Sequence, residues 1–193
     1  YLRLLEAGIE KGLITNCHVI YRPHPWRGGL GDGEEDFYSI KWKHITMDPF
    51  MEEYYQKEVK CDEGHVFMVD YAISNKLLTL VDAVISPLST MLIESLIKGK
   101  PVLAFFPERH HDVIFSVGQV HFADFLAIPD VNVCLREEDF YPACQKLLAQ
   151  TDDEALAEKL KQHADYFVDM DAPHYGHRLK LLVDRVTHSH LTL

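Results

Sequence analysis

The sequence predicts an α/β fold, a doubly wound, Rossmann-like sheet of parallel strands, on three observations. Short apolar runs that read as strands alternate with segments whose apolar residues recur at helical spacing. One run, Val102-Leu103-Ala104-Phe105-Phe106, is apolar at every position, the pattern of a strand covered on both faces. The length of 193 residues, with 47% hydrophobic and 25% charged residues, suits one globular domain and excludes a disordered or fibrous chain.

The elements follow in order. Leu2, Leu5, Ile9 and Leu13 lie at helical spacing and predict a helix over 2–14. Cys17-His18-Val19-Ile20-Tyr21 is a strand, ended by Arg22-Pro23-His24-Pro25. Residues 28–36 hold four glycines and four acidic residues with almost nothing to bury, and read as a loop. His44-Ile45-Thr46-Met47 is a second strand that stops at Asp48-Pro49, followed by a short helix over 50–58. A helix over 74–82, with Asn75 as its cap, leads to a third strand, Ala83-Val84-Ile85, broken by Ser86-Pro87. The helix over 89–98 stops at Gly99, a C-terminal signal, before the fourth strand at 102–106. Residues 112–126 read as one or two short helices, and Val131-Asn132-Val133-Cys134-Leu135 as a fifth strand. Helices over 137–150, 153–168 and 177–188 complete the chain, with 153–190 a helical tail on a single domain of 1–193.

Composition narrows the function. With 19 basic and 30 acidic residues the net charge is −11, which argues against a nucleic-acid polymer as partner, since that grip needs clustered cations. No stretch approaches the ~18 consecutive apolar residues of a membrane span, and no signal peptide opens the sequence. Cys17, Cys61, Cys134 and Cys144 form no Cys-x-x-Cys pair; Cys17 and Cys134 sit in apolar runs, and all four are expected to be reduced structural thiols. Twelve histidines include the adjacent His110 and His111, yet none joins a carboxylate at metal-ligand spacing on one helical face, so no metal is expected. Neither Gly-x-Gly-x-x-Gly nor a P-loop occurs, which disfavours dinucleotide oxidoreductases and P-loop enzymes.

In a doubly wound sheet, ligands bind outside the carboxyl ends of the strands. The residues there are 22–27, Asp48-Pro49, 86–90 and 107–111. Ser86 ends a strand, and Ser89 and Thr90 open a helix whose free N–H groups and dipole favour an anion such as phosphate. Glu94, four residues after Thr90, shares its helix face and can accept hydrogen bonds from the two hydroxyls of a ribose. The same residues admit a plainer account, with Ser89 an ordinary N-cap and Glu94 an early helical acid favoured by the dipole. His24, fixed between two prolines, can donate to a diphosphate oxygen or simply face solvent. Arg22 and Arg27 can neutralise phosphate charge or lie on the surface, and Trp26 can stack on a base or shield the loop.

Arg22-Pro23-His24-Pro25 after a strand, the run Ala83-Val84-Ile85-Ser86-Pro87-Leu88-Ser89-Thr90-Met91-Leu92-Ile93-Glu94, and Gly99-Lys100-Pro101-Val102-Leu103 resemble the donor-binding, C-terminal half of GT-B glycosyltransferases. The nearest likeness is to those that build bacterial surface polysaccharides and to the related CDP-glycerol transferases and nucleotide-sugar 2-epimerases. A looser likeness covers the tail from Asp169 to Arg178. The resemblance implies a GT-B half-domain that binds a nucleotide-sugar donor and transfers its sugar to a glycan or lipid-linked acceptor held by a second domain. It implies diphosphate contacts from His24, Ser86, Ser89, Thr90, Arg22 and Arg27, ribose contacts from Glu94, and a sugar- or acceptor-facing loop at Pro107 and Glu108-Arg109-His110-His111. No tightly bound cofactor is implied, because the helix end and cationic side chains meet the leaving-group charge. A cytoplasmic location follows, with peripheral attachment to the inner membrane as one form of it. An epimerase-like enzyme, a CDP-glycerol-type transferase and a non-enzymatic binding module on the same scaffold remain alternatives.

Two features depart from that pattern. The sequence starts on what corresponds to the first helix of the half, so the central first strand of an order such as 3-2-1-4-5 is expected upstream of Tyr1, unless the elements are matched one place out. The acidic loop after Trp26, with Asp32, Glu34, Glu35 and Asp36, is longer and more negative than a donor phosphate favours, and those side chains are expected to face solvent.

Overall fold

The computed structural model describes residues 1–23, 40–54, 70–106, 122–168 and 175–189. Within them, α1 (Leu2–Glu10) leads to β1 (Val19–Tyr21), then β2 (Ile45–Met47) with α2 (Pro49–Tyr54). Next come α3 (Tyr71–Leu80), β3 (Val84–Ser86), α4 (Thr90–Ile97) and β4 (Val102–Phe105). Then α5 (Ala123–Leu126), β5 (Asn132–Cys134), a 3-10 turn over Glu137–Asp139, α6 (Phe140–Leu148), α7 (Glu154–Phe167) and α8 (Tyr175–Ser189) follow. Among the described residues no helix is long and apolar enough to cross a membrane.

Among the described residues all strand pairs are parallel, as expected, but they form two sheets and not one. β1 pairs with β2, Val19 opposite Ile45 and Tyr21 opposite Met47. β4 lies between β3 and β5, with Ile85 opposite Leu103 and Phe105 opposite Cys134. No ladder joins β1 to β3.

β4 explains why the fold is α/β. Its four residues are all buried, and alternate side chains enter different cores. Val102 and Ala104 pack with Leu92 and Leu96 of α4, Phe125 of α5, and Leu156 and Leu160 of α7. Leu103 and Phe105 pack with Leu2 and Leu5 of α1 and with Phe140 and Leu147 of α6. The Phe105 and Phe140 rings lie 4.8 Å apart between centroids. Helices therefore cover both faces of this strand.

Local signals set several boundaries. α4 ends as expected at Gly99, which has φ +67°, while the Lys100 and Gly99 N–H groups donate to Ser95 O (2.9 Å) and Leu96 O (2.8 Å). A Cβ on Gly99 would lie 2.9 Å from the Ala157 carbonyl oxygen, so α7 approaches α4 only over a glycine. α1 stops at Glu10 rather than running to 14, because Gly12 takes φ +67° and turns the chain. α3 begins before the expected 74: Asp70, not Asn75, is its cap and accepts from Ala72 N at 2.8 Å. Ser74 is instead an interior helical residue, buried to 4% exposure.

Cys17 precedes β1 half-buried, whereas Cys134 and Cys144 are buried; these three are free thiols, and Cys61 lies outside the described residues. Burial pushes the Cys144 thiol up to about 12, with Cys134 and Cys17 adding to the effect.

Candidate functional site

The carboxyl ends of β1, β2 and β3 carry the polar residues that the topology selects. β3 ends on Ser86, and after Pro87 and the buried Leu88 the chain is extended at Ser89 (φ −154°, ψ 159°) before α4 begins at Thr90. Ser89 occupies the N-cap position, yet its hydroxyl accepts no N–H of the first turn. It lies 2.9 Å from the Ser86 hydroxyl instead. The expectation of an ordinary N-cap thus fails for the side chain: the two hydroxyls serve each other at the head of the helix. Thr90 is exposed on the first turn.

Glu94 follows one turn later, half-buried, and no hydrogen bond to its carboxylate occurs among the described residues. Burial pushes its carboxyl above the ordinary range, and the Arg22 charge partly opposes that rise. A half-buried carboxylate with no hydrogen bond from the described residues is costly to the fold and open to a further partner.

Arg22 is placed differently from its expected position on a phosphate. Its side chain is 13% exposed and forms an ion pair with Asp48, whose side chain is 8% exposed. It also donates to the Ser74 hydroxyl at 2.9 Å and lies over the Phe50 ring at 5.9 Å. Asp48 is committed as well: its other oxygen accepts from Phe50 N (3.1 Å) at the start of α2, and its own N–H donates to Tyr21 O (2.8 Å). Ser74 in turn donates to Asp70 O at 3.2 Å. One guanidinium therefore ties the ends of β1 and β2 to α3.

His24, Trp26 and Arg27, with Pro107, Glu108, Arg109, His110 and His111, lie outside the described residues, as do the acidic loop from Asp32 to Asp36 and the loosely matching segment 169–174. Of the expected site residues, Ser86 and Ser89 meet at the start of α4, Thr90 opens that helix and Glu94 lies one turn further along it. Asp48 and Ser74 are the residues that sequence reasoning gave no role. The sequence placed Asp48 at a strand end, as it did Arg22; the register, with Tyr21 opposite Met47, is what sets the two side by side. Ser74 carried no signal, being polar in a helix read as starting there.

Among the described residues no group of three His, Cys, Asp or Glu side chains is placed to hold a metal ion. The arrangement offers hydroxyl and N–H groups suited to an anion and, among the described residues, a carboxylate with no hydrogen bond that suits a diol. No protein-family model, curated protein or solved structure matches this chain.

Proposed function

We propose that this chain is the donor-binding half of a GT-B glycosyltransferase and that it binds a nucleoside diphosphate sugar. The observation that carries the reading is the head of α4, where the Ser86 and Ser89 hydroxyls pair and Glu94, one turn after Thr90, has no hydrogen bond to its carboxylate among the described residues. In this reading the diphosphate sits at the helix N-terminus, held by Ser86, Ser89 and Thr90 with His24 and Arg27 from the loop after β1. Glu94 accepts from the two ribose hydroxyls, giving the half-buried carboxylate hydrogen bonds that the described residues do not supply.

The reaction is displacement at the anomeric carbon. The acceptor oxygen forms the new glycosidic bond while the bond from that carbon to the β-phosphate oxygen breaks. The acceptor proton passes to a base on the acceptor-binding domain, and the nucleoside diphosphate leaves with its charge met by the helix end and the cationic side chains. The GT-B reading also places a strand between β1 and β3, the two strands that do not pair with one another.

Titration calorimetry with UDP, CDP and GDP tests the reading. One of the three binds; Glu94→Ala lowers its affinity about tenfold to a hundredfold, the range for hydrogen bonds to a charged group, and His24→Ala weakens it too. A folded protein that binds none of the three contradicts the proposal.

A further inference from the structure

We draw no further inference here: the strongest candidate, the exposed aliphatic face of α8 at Leu179, Leu181 and Val183, carries nothing because nothing in the structure shows what covers it.

Discussion

The two parallel sheets are held by different forces. The three-stranded sheet is built around β4, whose residues are buried on both faces between leucine- and phenylalanine-rich helices. The two-stranded sheet is covered on one face, where Ile45, Val19 and Tyr21 pack in the cluster of Leu2 and Leu5, while Ile20 in β1 is 39% exposed and Thr46 in β2 is exposed as well. Polar contacts also tie it in. Arg22 and Asp48 join its carboxyl end to α3, while at its other end Glu6 of α1 accepts from the N–H groups of Lys43 (2.6 Å) and His44 (3.2 Å). Apolar burial is non-directional and tolerant, whereas an ion pair out of water depends on both partners. The directional contacts of the two-stranded sheet centre on the Arg22–Asp48 pair just past the ends of β1 and β2.

Four substitutions probe that contrast. The largest effect is expected at Phe125, fully buried beside Phe122 and Phe167, where Phe125→Ala costs about 3–5 kcal/mol by urea denaturation. Ile20→Ala in the two-stranded sheet costs less than about 1 kcal/mol, because much of that side chain already meets water. Comparable costs at the two positions would remove the contrast.

Next is Arg22→Met, expected to cost about 3 kcal/mol by stranding the Asp48 carboxylate, with most of the loss recovered in Arg22→Met/Asp48→Asn. Purely additive losses in the double variant would mean that the pair is not the tie.

The smallest effect has the opposite sign. Burial raises the Glu94 carboxyl in the folded state, so the native protein keeps that proton to higher pH than the unfolded chain does. The group's stabilising contribution is complete below its unfolded value and is lost as pH rises through the folded value. Glu94→Gln is therefore expected to match the parent in acid and exceed its stability at pH 7 while binding nucleotide more weakly. Urea titrations at both pH values check this; a variant less stable at pH 7 would assign Glu94 a structural partner.

Legibility from sequence divides along the same line. β3, α4 and β4 were readable because their signals are local: a continuous apolar run, a glycine that stops the helix, and hydroxyl residues at its start. The start of α3 was not, since Tyr71 and Ala72 are exposed and give no periodicity, and the cap is an aspartate four residues before the first buried helical position, Ser74. The commitment of Arg22 was hidden for a different reason. Its partners are 26 and 52 residues away, and only the strand register brings them together. The placement of Ser86, Ser89, Thr90 and Glu94 at a strand end and along the first turns of the next helix was legible because both signals are local in sequence.

The central claim, that Glu94 recognises a ribose beside a diphosphate at the head of α4, is tested most directly by pairing a residue change with a ligand change. Calorimetry would compare the native protein and Glu94→Gln, each with the nucleoside diphosphate that binds and with its 2′,3′-dideoxy analogue. The account predicts that either change alone weakens binding about tenfold or more, as for loss of a hydrogen bond to a charged group, and that the second adds almost nothing once the first is made. Independent, fully additive losses would contradict it.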